Sequence, residues 1–186
     1  MPMKVVILAG GFGTRISEET INIPKPMIEI GGRPILWHII KIYTHYGFKD
    51  FIIALGYKGN VVKNYFKKNS FGWNIKLINT GLKTMTGGRL KRLSKLLLDK
   101  TFLMTYGDGV SNVNIKKLIK FHKKNKKMAT LTAVKYKNPK GVLSISSKSE
   151  IRLIKEKPTE YINGGFFVLS KKIFKYLKND RSIFEK

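Results

Sequence analysis

Continuous apolar runs alternate along the chain with segments whose apolar residues recur at helical spacing. Residues 5–9 and 51–55 are unbroken apolar runs that glycine follows at once, as expected of strands buried on both faces of a parallel sheet. Between them, Pro34 is placed to open a helix that Gly47 ends. The apolar face of this helix has i, i+3, i+4 and i+7 spacing and consists of Leu36, Ile39, Ile40 and Tyr43.

The same alternation continues through most of the remaining sequence. It predicts strands at residues 75–78, 101–105 and 129–134, and helices at about residues 60–66, at 89–98 and along a stripe of Ile115, Leu118, Ile119 and His122. Strands separated by such helices are typical of an α/β fold with a doubly wound, mostly parallel sheet of the Rossmann-like type. A length of 186 residues fits a single domain over residues 1–186. Ligands of such sheets bind beyond the carboxyl ends of the strands, where this chain carries its glycine-rich loops.

The charge balance indicates a negatively charged ligand. Lys and Arg number 37 against 11 Asp and Glu, which gives a formal net charge of +26. The lysines are dispersed among Ile and Asn, as an AT-rich coding bias would produce. Dispersed charge supplies only salt-sensitive, non-specific attraction to a nucleic acid. We therefore expect small anionic substrates and no specific nucleic acid.

The absence of cysteine and the shortness of the first apolar run narrow the class of protein further. Without cysteine the chain has no disulfide, no thiolate nucleophile and no Cys-ligated zinc, which suits the reducing cytoplasm. The run at residues 5–9 is too short for a signal peptide or a membrane span, so no membrane partner is expected. His38, His45 and His122 fall on predicted helices and no G-x-S-x-G elbow occurs, so a hydrolytic triad is not expected.

Two cationic segments near the N-terminus have the chemistry of phosphate binding. The first strand runs into Gly10-Gly11-Phe12-Gly13-Thr14-Arg15, where glycines let the backbone approach a ligand and turn its N–H groups toward phosphate oxygens. The spacing is neither that of a P-loop nor a complete dinucleotide motif. Lys25 lies between two prolines that restrict its backbone, which suits a charge held against a triphosphate. A tight structural turn and an ordinary surface lysine are the alternatives.

Three later positions extend this pattern. Asp108, between two glycines after a predicted strand, is a candidate ligand of Mg²⁺, which commonly takes only one or two protein carboxylates. A turn or helix-capping role is the alternative. Lys157, before a proline, and Asn163, before two glycines, are suited to a sugar phosphate.

Several segments together resemble the sugar-1-phosphate nucleotidyltransferases. Leu8-Ala9-Gly10-Gly11-Phe12-Gly13-Thr14-Arg15 and Pro24-Lys25-Pro26-Met27 are similar to the signature of that superfamily. Four further segments resemble one group within that superfamily, the glucose-1-phosphate cytidylyltransferases. They are Pro34-Ile35-Leu36-Trp37-His38-Ile39, Met85-Thr86-Gly87-Gly88-Arg89-Leu90-Lys91-Arg92, Thr105-Tyr106-Gly107-Asp108-Gly109-Val110 and Ile162-Asn163-Gly164-Gly165-Phe166-Phe167-Val168. The Thr-Gly-Gly-Arg segment favours cytidine over thymidine.

The resemblance implies an enzyme that joins CTP to a hexose 1-phosphate, with Mg²⁺ as cofactor, and places it in nucleotide-sugar synthesis for a lipopolysaccharide O-antigen. It implies nucleotide contacts by Leu8, Ala9, Gly10, Gly11, Gly13, Thr14, Arg15, Lys25, Thr84, Arg89 and Gly107. Arg15 and Lys25 would be the catalytic cations, Asp108 the metal ligand, and Lys157 and Asn163 the contacts to the sugar phosphate.

Two departures from the family pattern affect these expectations. The family carries a longer segment where this chain has only residues 67–72, and it continues after Val168 to a second metal-binding aspartate in a Met-Asp-Thr context that does not occur here. The domain is therefore expected to lack the C-terminal part of the family. A non-catalytic remnant that binds nucleotide or sugar phosphate is the alternative function. Copies of a family member can contact each other through the segments that are shortened here, so a homo-oligomer is an open expectation for this chain.

Overall fold

The computed structural model describes residues 3–13, 23–69 and 71–186. The strands of this part of the chain are β1 (Val5–Ala9), β2 (Glu29–Ile30), β3 (Arg33–Pro34), β4 (Asp50–Leu55), β5 (Asn74–Asn79), β6 (Thr101–Tyr106), β7 (Ala129–Lys137), β8 (Val142–Ile145), β9 (Ile151–Lys155) and β10 (Thr159–Ser170). The α-helices are α1 (Ile35–His45), α2 (Gly59–Lys68), α3 (Thr86–Arg92) and α4 (Ile115–Asn125), with 3₁₀ helices at Lys25–Met27, Ser94–Leu96 and Lys171–Lys175.

The described strands build a six-stranded central sheet in the order β5-β4-β1-β6-β10-β7. Strands β5, β4, β1 and β6 are parallel, with Val5 of β1 paired to Phe51 of β4 and to Leu103 of β6. Strand β10 runs antiparallel to both β6 and β7. The predicted fold class, a Rossmann-like and mostly parallel α/β sheet, is confirmed. Two hairpins, β2-β3 and β8-β9, lie outside this sheet.

The alternation of side chains along β1 explains why a sheet buried on both faces needs a continuous apolar run. Val5, Ile7 and Ala9 share a core with the apolar face of α1. Val6 and Leu8 point to the opposite face and pack in a second core with residues of α3 and the segment after it, including Leu90, Leu93 and Leu97. Every residue of β1 is therefore buried.

Several element boundaries differ from the sequence-based prediction, and some strands were not predicted. Pro34 does not open α1 but pairs with Glu29 in the β2-β3 hairpin, where its backbone is extended at φ −59° and ψ 147°. The helix predicted at residues 89–98 instead begins at Thr86 and ends at Arg92. Its first turn contains two glycines, which are poor helix formers alone but pack here against another segment. Strand β7 extends three residues further than predicted, and the long strand β10 was not predicted.

Within the part of the chain that the structure describes, no helix is both long enough and apolar enough to cross a membrane.

Candidate active site

A cavity of about 650 Å³ opens at the carboxyl ends of β1 and β6. From the first strand and its glycine-rich loop it is lined by the predicted residues Leu8, Ala9, Gly10, Gly11 and Gly13. From elsewhere in the chain it is lined by the predicted residues Lys25, Thr84, Arg89, Gly107 and Asp108. Thr14 and Arg15 lie outside the described residues, so the structure does not test their roles. The structure thus gathers ten predicted nucleotide and metal residues around one hollow.

The two strand ends meet closely because Gly107 has no side chain. Its N–H donates to the carbonyl of Leu8 at 2.9 Å, continuing the parallel ladder one residue beyond β6. A Cβ at Gly107 would lie 3.0 Å from Cβ of Ala9. The glycine therefore allows the β6 end, with Asp108 following it, to come against the glycine-rich loop.

Arg89 forms the buried wall of the cavity and is only 4% exposed. Its Nη1 donates to the carbonyls of Leu55 and Gly81 and to the Thr80 hydroxyl, at 3.2, 2.7 and 2.8 Å. Its Nη2 donates to the carbonyl of Gly10 at 2.9 Å and to that of Leu82 at 3.3 Å. One guanidinium thus fastens the glycine-rich loop to the ends of neighbouring strands.

Glycines at two positions make room for this guanidinium. A Cβ at Gly10 would meet Nη1 of Arg89 and lie 2.6 Å from its Cζ, and a Cβ at Gly56 would lie 2.5 Å from the same Nη1. Burial lowers the pKa of Arg89, with a smaller contribution from nearby Arg92, but an arginine stays protonated in proteins. Among the described residues no ion pair includes Arg89. The wall therefore carries a positive charge that an anion in the cavity would balance.

Lys25 and Asp108 form an ion pair in the lining of the cavity. Lys25 opens the 3₁₀ helix Lys25–Met27 directly after Pro24, and its Nζ donates to Oδ2 of Asp108 at 2.8 Å. The two side chains are 26% and 39% exposed, so both remain within reach of a ligand. The lysine between the two prolines thus contacts the predicted metal ligand.

The donor set around Asp108 fits a magnesium ion that shares its coordination with a substrate. Among the described residues, no cluster of three or more His, Cys, Asp and Glu side chains occurs that would hold a metal by itself. Glu185 also lines the cavity, but its two oxygens accept hydrogen bonds from Tyr106 and Thr86. One carboxylate, completed by phosphate oxygens and water, is a set that Mg²⁺ accepts.

The predicted sugar-phosphate residues lie apart from the cavity lining. Asn163 is on β10, and its Nδ2 donates to the Tyr106 hydroxyl at 3.3 Å, which places it one contact away from the cavity. Lys157 is exposed in the connection between β9 and β10, where its φ is +42°. The structure therefore links Asn163 to the cavity through Tyr106 and shows no such link for Lys157 among the described contacts.

Sequence reasoning missed Tyr106 and Glu185 as cavity residues. The Tyr106 hydroxyl donates to Oε1 of Glu185 at 2.5 Å, and the Thr86 hydroxyl donates to Oε2 of Glu185 at 2.7 Å. Burial, followed by the contact with Glu185, raises the pKa of Tyr106 well above its ordinary value, so the phenol keeps its proton. Tyr106 was visible as the residue before the Gly-Asp-Gly turn, whereas nothing in the sequence around Glu185 pointed to a site.

The glycines of α3 bring Glu185 to the cavity. A Cβ at Gly87 would lie 2.8 Å from the carbonyl oxygen of Ser182, and a Cβ at Gly88 would lie 2.6 Å from Cα of Asp180. Without these side chains the backbones join, since Met85 N–H donates to the Asp180 carbonyl at 2.8 Å and Gly88 N–H to the Ser182 carbonyl at 3.0 Å. The Gly-Gly pair thus has a packing role.

A Rossmann-like sheet whose glycine-rich strand ends surround a cationic cavity defines a nucleotide-binding class of protein. The family model described as Nucleotidyl transferase matches residues 4–184. The chain therefore belongs to the nucleotidyl transferase family.

Individual relatives agree with this membership. The chain is 47% identical to the glucose-1-phosphate cytidylyltransferase of Salmonella typhi, covering 98% of this chain and 81% of the relative. It is 43% identical to the probable glucose-1-phosphate cytidylyltransferase of Bacillus subtilis, covering 96% and 79%. Among solved structures, HddC from Yersinia pseudotuberculosis in complex with GMP-PN is 30% identical and superposes with a TM-score of 0.79, covering 98% of this chain and 83% of that one.

Proposed function

We propose that this chain joins CTP to glucose 1-phosphate and releases CDP-glucose and pyrophosphate. The observation that carries the proposal is the 47% identity to a glucose-1-phosphate cytidylyltransferase over nearly the whole chain. The cavity supports it, because those residues assigned to the nucleotide by the resemblance that the structure describes surround one hollow with a buried cation in its wall.

The reaction requires alignment and charge neutralisation more than proton transfer. The attacking group is a phosphate oxygen of the hexose 1-phosphate, which displaces pyrophosphate from the α-phosphorus of CTP in line. A phosphate monoester has a second pKa of about 6, so this nucleophile is mostly deprotonated at neutral pH. No general base is needed, in agreement with a cavity whose described lining contains no histidine.

We assign the cations of the cavity to the phosphates. Lys25, together with Arg15, neutralises charge that develops on the departing pyrophosphate. Arg89 acts differently, because both of its Nη groups already donate to protein oxygens. It fixes the glycine-rich loop and adds a positive potential to the wall. Lys157 steers the incoming hexose phosphate, and Asn163 contacts it.

Asp108 is the residue that would hold Mg²⁺. When bound, the ion would supply further neutralisation of the triphosphate charge. Lys25 occupies one oxygen of Asp108 at 2.8 Å, so the same carboxylate also keeps the lysine directed into the cavity.

The direct test measures pyrophosphate release with each of four nucleoside triphosphates and several hexose 1-phosphates, with and without Mg²⁺. We expect release with CTP, glucose 1-phosphate and Mg²⁺ together. A release that prefers another nucleotide would change the assigned base. Thermal stabilisation by CTP and Mg²⁺ without any pyrophosphate would instead support the binding-only alternative.

Cytoplasmic localisation stays a prediction from the absence of cysteine. A role in O-antigen synthesis and assembly into a homo-oligomer stay predictions that rest on the resemblance. A basic protein that bound nucleic acid would retain a labelled oligonucleotide in excess CTP, with a steep dependence on salt. We expect CTP to be bound whether or not the oligonucleotide is present.

A further inference from the structure

A chain of hydrogen bonds connects Glu185 to Asn163 through Tyr106. The Tyr106 hydroxyl lies 2.5 Å from Oε1 of Glu185 and 3.3 Å from Nδ2 of Asn163. Oδ1 of Asn163 in turn accepts from the Gly165 N–H at 2.8 Å. These contacts join the segment after the last 3₁₀ helix to strand β10, across the end of β6.

The donor and acceptor of each hydrogen bond in this series follow from the carboxylate of Glu185 at one end. A carboxylate only accepts, so the single hydrogen of the Tyr106 hydroxyl is committed to Glu185. The Tyr106 oxygen can then only accept from its other neighbour, which must present an N–H. Asn163 is therefore fixed with Nδ2 toward Tyr106 and Oδ1 toward Gly165, and its amide has a second hydrogen to donate elsewhere.

Glu185 is itself held at both oxygens. Its Oε2 accepts from the Thr86 hydroxyl at 2.7 Å, and that hydroxyl oxygen accepts from the Phe184 N–H at 2.9 Å. Thr86 begins α3, the helix that carries the buried Arg89 at the nucleotide side. The carboxylate is thus anchored to the part of the cavity wall assigned to the nucleotide.

We propose that Glu185 is a positioning residue for the hexose 1-phosphate: through the Tyr106 hydroxyl it fixes the amide of Asn163 as a donor to that substrate. The inference rests on the proposed function and names a determinant of its sugar side. A neutral side chain at residue 185 would let the Tyr106 hydroxyl turn round. The Asn163 amide would then lose its fixed orientation.

The test is steady-state kinetics of pyrophosphate release by the full chain, with glucose 1-phosphate and CTP varied separately. We expect Glu185→Gln to raise the KM for glucose 1-phosphate about tenfold, as for one lost hydrogen bond, and to leave the KM for CTP nearly unchanged. Tyr106→Phe should give the same split. The double variant should have the same KM for glucose 1-phosphate as either single variant, because both substitutions break the same series of hydrogen bonds. Discrimination between glucose and galactose 1-phosphates should fall in all three.

Asp180→Asn is the matched control, since it removes a carboxylate from the same segment whose side chain pairs with Arg92 and not with Tyr106. Its two KM values should equal those of the unaltered chain. Equal changes in both KM values for Glu185→Gln, or additive effects in the double variant, would overturn the inference. Thermal unfolding of each variant identifies a folding defect. If Glu185→Gln has one, the KM values of Tyr106→Phe decide the test. Absence of turnover by the unaltered chain would refute the proposed function instead.

Discussion

Nζ of Lys25 lies 2.8 Å from Oδ2 of Asp108, although 83 positions separate the two residues in the sequence. One belongs to the proline-bracketed turn after the glycine-rich loop and the other follows β6, so the ion pair joins two sides of the cavity. Both side chains are partly exposed, and such pairs contribute little to stability. We infer that the pair is kept for what it presents to a ligand.

Lys25→Ala should therefore reduce turnover while leaving the fold intact. By analogy with the loss of one preorganised oxyanion donor, removing this positive group should cost roughly 10²–10³ in rate. The rate of pyrophosphate release with saturating CTP, glucose 1-phosphate and Mg²⁺ measures the loss, and circular dichroism checks the fold. Arg15→Ala is expected to show a loss of the same size.

Lys4→Ala is the control for this prediction. Lys4 forms a partly exposed ion pair with Asp99, 3.8 Å apart, and lies outside the cavity lining. The Lys4→Ala variant should have the same turnover as the unaltered chain. Full activity of Lys25→Ala would remove the catalytic role of Lys25.

The sequence predicted what local patterns and the parallel-sheet rule determine. Apolar runs indicated β1 and β4, and because parallel strands end at one edge, residues as distant as Gly10 and Gly107 were expected at one site. Glu185 was beyond this reasoning, since its position depends on how the segment before it packs on the glycines of α3. Strand β10 was also missed, because its first half is exposed and only its second half is a continuous apolar run.

Arg89→Lys is expected to destabilise the protein strongly. A lysine ammonium has only three donors on a single nitrogen, whereas Arg89 serves five oxygens from two nitrogens. Each buried oxygen left without a partner costs roughly 1–3 kcal/mol. Urea unfolding measures the change, and Arg92→Lys, at an exposed pair with Asp180, should leave the unfolding midpoint almost in place. Similar midpoints for the two variants would contradict the fastening role of Arg89.

Gly88→Ala tests the packing role of the Gly-Gly pair. The added Cβ would meet the Asp180 backbone, which cannot rotate away as a flexible side chain does. Such overpacking costs typically about 1–3 kcal/mol, and the shift would move Glu185 from Tyr106. We expect a lower melting temperature together with a higher KM for glucose 1-phosphate. Gly141→Ala, whose Cβ would meet only the end of the Glu156 side chain, should change neither.

His122 should make the fold sensitive to mild acid. It is buried in α4, its Nδ1 lies 2.9 Å from the Thr130 hydroxyl oxygen, and burial lowers its pKa. The unfolded chain, with an ordinary histidine pKa of about 6.5, therefore takes up a proton before the folded chain does. The stability that the neutral imidazole contributes is complete above pH ~6.5 and is lost as the pH falls toward the lower pKa of the folded state.

The measurement is the free energy of unfolding at intervals between about pH 7.5 and 5. His122→Gln, which cannot take up a proton there, should show a shallower decline than the unaltered chain. His45→Gln, at an exposed position of α1, should keep the decline of the unaltered chain. Parallel curves for His122→Gln and the unaltered chain would show that the acid sensitivity arises elsewhere. A difference confined to His122→Gln would trace it to the desolvation of one imidazole, because the two substitutions make the same chemical change in different surroundings.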